Sequence, residues 1–164
     1  MDDKAVVARQ LGRAPRAFRR VVVRCPYGRP AVTEQEPYTA DGEPFPTTFY
    51  LTCRHLVAAI SRVEAAGGVE RWSEAAEADP ELAASRKAAD ADQRSLRRTL
   101  AGGGFGNDDG ASLGLGVGGS RPGGGLKCLH AHAAYALARP GYVLGERILA
   151  EIEPLWPPDG CCTA

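Results

Sequence analysis

A glycine-rich segment in the second half of the chain limits what this sequence can fold into. Residues 101–125 contain 12 of the 20 glycines in the 164-residue sequence. Glycine loses more backbone freedom on folding than any other residue, so such a segment is typical of a loop without helix or strand. The sequence therefore predicts a flexible loop with few internal hydrogen bonds, and it places the regular elements before and after that loop.

The part of the chain before residue 54 carries the signals of a small antiparallel sheet. β-branched and aromatic residues predict strands at residues 18–25, 31–35 and 46–53. Two prolines and a glycine fall within residues 25–30, which predicts a tight turn between the first two strands. A short helix with an acidic start is predicted to precede the sheet, over residues 3–11.

The remainder of the chain is predicted to be helical. Apolar residues at helical spacing, together with capping signals such as Asp79 before Pro80, indicate several helices. They are expected from Leu56 to before Gly67, around Trp72, and over residues 80–100, 126–138 and 145–152. We therefore predict one α+β domain over residues 1–155, with the sheet in the N-terminal third packed against C-terminal helices and a disordered tail over residues 156–164.

Composition indicates no obvious polyanionic or membrane partner. Lys plus Arg number 20 and Asp plus Glu number 20, so the formal net charge is zero and no nucleic-acid or membrane attraction follows. No apolar run approaches the ~18 residues of a membrane helix, and no signal peptide is recognisable. We expect a cytoplasmic protein in which the five cysteines, an odd number, stay reduced.

Three cysteines and a histidine are the candidate functional residues. Cys25, Cys53 and Cys128 each fall at the predicted end of a strand or the start of a helix. Zinc takes four thiolate or imidazole ligands in a tetrahedron, so these cysteines with His130 or His132 would complete a Cys3His site. The alternative is three separate buried thiols that act as small apolar side chains.

A second hypothesis makes Cys128 a nucleophile. Lys127 precedes it, and it lies near the N-terminus of a predicted helix; both features favour the thiolate. His130 or His132 could then act as the base. In this case the protein would be a cysteine-dependent enzyme.

The glycines at residues 114–119 do not predict a nucleotide site. They lack both the Gly-Lys-Ser/Thr ending of a phosphate loop and a preceding strand. Arg13, Arg16, Arg19 and Arg20 form a basic cluster that could bind an anion, although such clusters are more often a solvated face.

Several motifs resemble the bacterial domain-of-unknown-function family numbered 501, which is common in actinobacteria. They are VARQLGR at residues 7–13, RCPYGRP at 24–30, DG at 41–42, PFPT at 44–47, YLTC at 50–53 and KCLHAH at 127–132. The resemblance implies a small α+β domain without an assigned reaction. Its genes often stand beside those of a septum-formation protein and an exopolyphosphatase-like protein, which suggests an adaptor in cell division as a further alternative.

The family motifs contain all four candidate ligands. Cys25, Cys53, Cys128 and His130 lie within them, so the resemblance favours a shared zinc site with His130 as the fourth ligand and His132 as its substitute. Such a site places the three sulfurs about 4 Å apart, because Zn–S bonds are near 2.3 Å. The sequence departs from the family in two places: YVLG at residues 142–145 replaces Asn-Pro-Val-Gly, and the glycine-rich segment is longer.

Overall fold

The computed structural model describes residues 2–162 and confirms the α+β fold class. A three-stranded sheet near the N-terminus packs against helices from the rest of the chain. In chain order the elements are α1 (Asp3–Leu11), β1 (Phe18–Arg24), β2 (Pro30–Gln35), β3 (Phe49–Leu51), α2 (Arg54–Ala65), α3 (Gly68–Ala78), α4 (Pro80–Ala101), α5 (Leu129–Ala138) and α6 (Val143–Ala150).

The sheet is antiparallel, with β2 in the centre. All six residues of β2 are buried, including the charged Glu34. Two arginines of β1 compensate the negative charge of Glu34, since Arg19 Nε and Arg20 Nε lie 3.2 Å and 2.7 Å from its carboxylate. The basic cluster of the sequence thus pairs in part with carboxylates of the sheet, and Arg16 pairs with Glu43.

The third strand is shorter than predicted. Its ladder with β2 covers only Phe49–Leu51, whereas the residue types favoured a strand over residues 46–53. Single backbone hydrogen bonds extend the contact on both sides, from Gln35 N–H to the Thr48 carbonyl and from Thr52 N–H to the Ala31 carbonyl. A longer bond from Cys53 N–H to the same Ala31 carbonyl is the last contact, and the chain then enters α2, with Cys53 at its N-cap position.

Helix α4 begins where its local sequence predicts. The Asp79 carboxylate accepts the N–H groups of Glu81 and Leu82 at 2.9 Å and 3.4 Å, and Pro80 occupies the first helical position. Arg86 and Asp90, four positions apart on this helix, form an ion pair, with Arg86 Nε 3.7 Å from Asp90 Oδ2. Local capping chemistry therefore determined this boundary.

Helix α5 forms the centre of the core. It contacts all three strands as well as α2 and α6, and seven of its ten residues are buried. Its alanines allow this close packing, and Gly145 allows α6 to approach: a Cβ at Gly145 would lie 2.6 Å from both Ala136 Cβ and the His132 carbonyl oxygen. The helix starts at Leu129 and not at residue 126, because Cys128 has an extended backbone with φ −151°.

The glycine-rich segment corrects one expectation. Three short 3₁₀ turns form here, at Gly106–Asp108, Ala111–Gly114 and Val117–Gly119, so the prediction of no regular structure was wrong. The segment packs on α4 and α5, and several glycines permit contact that a side chain would block. A Cβ at Gly116 would lie 2.4 Å from Asp90 Oδ1, and one at Gly118 would lie 2.9 Å from Ala131 Cβ. Flexibility of this segment stays a prediction.

The segment after α6 is irregular but makes contacts with the domain. Leu155 and Trp156 are partly buried against the core, and the Tyr27 hydroxyl donates a hydrogen bond to the Pro157 carbonyl. The predicted tail disorder over residues 156–164 stays a prediction, and residues 163 and 164 lie outside the described part. No helix within residues 2–162 combines the length and apolarity needed to cross a bilayer.

Candidate functional site

A pocket of about 300 Å³ lies where β3, α2 and the start of α5 meet. Both Cys128 and His130 line it, as the nucleophile hypothesis requires. The remaining lining is mostly apolar, with a polar edge from Thr47 and Tyr50; the apolar residues are Leu11, Phe49, Leu51, Val57 and Ala131. The pocket therefore suits a small molecule with an apolar body and one polar end.

Cys128 occupies the N-cap position of α5. Its side chain makes no capping hydrogen bond, but the N–H groups of His130 and Ala131 lie close enough to favour its thiolate. Burial acts more strongly in the opposite direction, and the Glu64 carboxylate also disfavours a negative sulfur. The pKa of Cys128 is consequently raised above its ordinary value, so at neutral pH the side chain is a protonated thiol that needs a base to react.

Helix α2 holds the imidazole of His130 in place. Nδ1 lies 3.1 Å from Glu64 Oε1, while Nε2 lies 3.2 Å from Ser61 Oγ and 3.3 Å from the Val57 carbonyl oxygen. In the tautomer with its proton on Nδ1, that proton is donated to Glu64 and Nε2 accepts the Ser61 hydroxyl proton. The Val57 carbonyl oxygen can accept from Nε2 only when Nε2 itself carries a proton. Among the hydrogen bonds of residues 2–162, none joins His130 to Cys128 Sγ.

Glu64 links the two halves of this site. Oε1 lies 3.1 Å from Nδ1 of His130, and Oε2 accepts the Leu129 N–H at 2.7 Å. The second bond satisfies a free donor at the start of α5. Sequence reasoning missed Glu64 because it caps a helix from a different element. Capping motifs that can be recognised in a sequence are local, whereas Glu64 and Leu129 are 65 positions apart.

His132 lies elsewhere and cannot share this pocket. Its side chain is fully buried, and Nδ1 lies 2.6 Å from the Tyr142 hydroxyl, between α5 and the start of α6. Burial, with a smaller contribution from the Arg86 guanidinium, lowers the pKa of His132 to about 3. His132 is therefore a neutral core residue in the folded protein, and its Nε2 has no hydrogen-bond partner among the described residues.

The structure separates the other candidate cysteines from the pocket. Cys25 is buried at the end of β1, where its N–H bonds to the Arg29 carbonyl at 2.9 Å. Cys53 is buried at the N-cap of α2, and its Sγ lies 3.7 Å from Sγ of Cys162. Neither residue lines the pocket that contains Cys128.

No group of three or more Cys, His, Asp or Glu side chains within residues 2–162 is arranged to hold a metal ion. No such group among the described residues combines the side chains predicted to bind zinc, Cys25, Cys53, Cys128 and His130. Zinc binding stays a prediction.

A second polar cluster lies between α4 and the glycine-rich segment. The fully buried Arg97 donates to the Phe45 carbonyl at 2.8 Å, and Tyr38 OH donates to Asp108 Oδ1 at 2.8 Å. Burial would raise the pKa of Asp108, but hydrogen bonds from Ser112 and Tyr38 outweigh it and lower the pKa to about 2. The Tyr38–Asp108 hydrogen bond of this cluster attaches the glycine-rich segment to the rest of the domain.

Fold and site together define a small α+β protein with a cysteine and a histidine in one pocket. The family described as "Protein of unknown function (DUF501)" matches residues 21–150, which is most of the chain. The chain belongs to this family, as the motifs indicated. No curated protein and no solved structure gave a significant match.

Proposed function

We propose that this protein is a cysteine-dependent enzyme that acts on a small, largely apolar carbonyl or acyl compound. Cys128 is the nucleophile, His130 is its base and Glu64 positions the imidazole. The observation that carries the proposal is that Cys128 and His130 line the same pocket while Glu64 binds both His130 and the N-terminus of the helix that carries Cys128.

The proton must leave the thiol during the reaction. Since burial keeps Cys128 protonated at rest, attack requires transfer of its proton to Nε2 of His130. Nε2 is bonded to Ser61 and not to Cys128, so a water molecule in the pocket accepts the thiol proton and donates one of its own to Nε2. The thiolate sulfur then forms a bond to the carbonyl carbon, and the π electrons of the carbonyl move to its oxygen. With an ester substrate these electrons return to the carbon, the bond to the leaving oxygen breaks, and the acyl group stays on Cys128. The leaving group departs as an alkoxide or phenolate, and His130 gives up the proton it had accepted.

The walls of the pocket support the proposed substrate class. Phe49, Leu51 and Val57 offer an apolar surface to an acyl chain, while Thr47 and Tyr50 add hydroxyl groups at the edge. Water is poorly retained on such a surface, and exclusion of water strengthens hydrogen bonds to a developing oxyanion.

Reduced thiols are a condition of this chemistry, so cytoplasmic localisation forms part of the proposal. The role as an adaptor in cell division stays a prediction from gene neighbourhood, because no contact within the domain favours that role over an enzymatic one. An actinobacterial origin likewise stays a prediction.

The test uses p-nitrophenyl butyrate, an ester with a short apolar acyl chain. We expect release of nitrophenolate and a butyryl group on Cys128, detected by peptide mass spectrometry. Cys128→Ser should abolish the adduct, and His130→Gln should lower the acylation rate by about 10²–10⁴-fold, as for loss of a general base. Cys161→Ser is the matched control and should retain the wild-type rate.

Two outcomes would refute the proposal. The first is acylation of Cys128 at the same rate in the wild type and in folded His130→Gln. The second is an adduct confined to other cysteines. Circular dichroism of each variant establishes that folding is preserved.

A further inference from the structure

The C-terminal segment runs back to the front of the domain, where it meets α2. His55 Nε2 lies 3.4 Å from the Pro154 carbonyl oxygen, and Tyr27 in the turn after β1 bonds to the Pro157 carbonyl. These contacts bring the segment across the first turn of α2. At its end the exposed Cys162 places Sγ 3.7 Å from Sγ of the buried Cys53.

We propose that Cys53 and Cys162 form a reversible oxidation site that takes a disulfide from a low-molecular-weight disulfide of the glutathione type. This site is separate from the proposed enzymatic site, since neither cysteine lines the pocket of Cys128. The two sulfurs need only approach from 3.7 Å to the roughly 2.05 Å of a disulfide bond. Cys162 lies outside any helix or strand, so rotation of its side chain and a small backbone shift can close the gap.

The two cysteines have different tasks in this exchange. Cys53 is nearly inaccessible, and burial together with the neighbouring Cys162 raises the pKa of Cys53 to about 11, although the N–H groups of Leu56 and His55 oppose the shift. Cys162 is exposed and meets the external disulfide first. The order of attack therefore follows from accessibility, and Cys53 acts as the resolving thiol.

The exchange is balanced in two steps. The Cys162 thiolate attacks one sulfur of glutathione disulfide, forms a mixed disulfide and expels one glutathione thiolate, which takes up a proton from solvent. Cys53 then loses its proton to solvent, attacks Cys162 Sγ and expels the second glutathione. Two protein thiols are oxidised to one disulfide, and one glutathione disulfide is reduced to two glutathione thiols.

The product would bind the C-terminal segment to the start of α2. Cys53 and Cys162 are 109 positions apart, so the bond closes a long loop and restricts the unfolded chain more than the folded one. We expect the oxidised protein to have a melting temperature several degrees above that of the reduced protein, and we expect dithiothreitol to reverse the change.

The experiment titrates the full chain with glutathione disulfide and reads the products by intact mass and tryptic peptide mapping. We expect loss of two hydrogen atoms without retained glutathione, and a cross-link between the peptide of Cys53 and the C-terminal peptide. Cys161→Ser, the adjacent matched control, should form the same bond. Cys162→Ser should lose it, and the buried Cys53→Ser should leave a glutathione adduct on Cys162.

Three results would overturn the proposal. They are a cross-link that persists in Cys162→Ser through Cys161, a vicinal disulfide between Cys161 and Cys162, and a stable glutathione adduct on Cys162 of the wild-type protein. The Cys162→Ser and Cys161→Ser variants change residues outside the core, so the comparison holds even if Cys53→Ser does not fold.

Discussion

Mild acid should destabilise this protein through His132. Its imidazole is fully buried against Tyr142, and burial with the nearby Arg86 lowers its pKa to about 3 in the folded state. In the unfolded chain the pKa returns to about 6.5. Between these two pKa values the unfolded state binds a proton at His132 and the folded state does not. The free energy of unfolding therefore falls as the pH drops below 6.5 towards 3.

The size of the loss follows from the two pKa values. Within this window each pH unit removes about 1.4 kcal/mol, so lowering the pH from 6.5 to 5 should remove about 2 kcal/mol of unfolding free energy. For a domain of this size that corresponds to a fall of about 4–8 °C in melting temperature. Acid destabilisation should thus begin well above the carboxylate range.

Urea denaturation at pH 7, 6 and 5 measures this effect, with His132→Gln as the test variant. Glutamine does not ionise, and its amide can still bond to the Tyr142 hydroxyl. The variant starts from a lower stability, but the loss between pH 7 and 5 should be smaller than in the wild type by about 2 kcal/mol. His55→Gln retains His132 and should retain the loss. Equal pH dependence in wild type and His132→Gln would refute the reasoning.

Three further predictions concern single contacts. Glu64→Ala removes both the cap on Leu129 N–H and the partner of His130, so we expect the free energy of unfolding to fall by about 1–2 kcal/mol in urea denaturation. Glu64→Gln keeps an acceptor and should lose less than half of that. Equal losses in the two variants would contradict the capping role. Gly145→Ala places a Cβ 2.6 Å from Ala136 Cβ and should cost about 1–3 kcal/mol by thermal melting, while Gly114→Ala, with open space around it, should cost less. Asp108→Asn should make the free energy of unfolding less dependent on pH between pH 4 and 2. The lowered pKa of Asp108 stabilises the fold above that range, and this contribution disappears as the carboxylate protonates. The same pH dependence in the variant and the wild type would count against this role.

Features determined by neighbouring residues could be predicted from the sequence. Asp79 and Pro80 establish the start of α4 through their own hydrogen bonds and dihedral angles, without help from distant parts of the chain. The short β3 could not be predicted, because its ends depend on where β2 supplies partners. The same holds for Glu64, whose role exists only once α2 lies beside α5.

The glycine-rich segment shows why composition misled the prediction. Glycine predicts disorder through its backbone entropy, but it also permits contacts that exclude a Cβ. Here Gly116 and Gly118 lie against Asp90 and Ala131, and Asp90 accepts the Val117 N–H at 2.8 Å. Sequence alone cannot separate these two uses of glycine, since the distinction depends on what surrounds the segment after folding.

The central position of α5 also sets the order in which the nascent chain can fold. Strands β1 and β2 are neighbours in sequence and can pair early, but the apolar surface at Phe49 and Leu51 needs α5, which starts only at Leu129. At a translation rate of roughly 5–20 residues per second, this surface stays uncovered for on the order of 10 s. During that interval the apolar face of the sheet is exposed to water, and the core closes only when α5 has emerged.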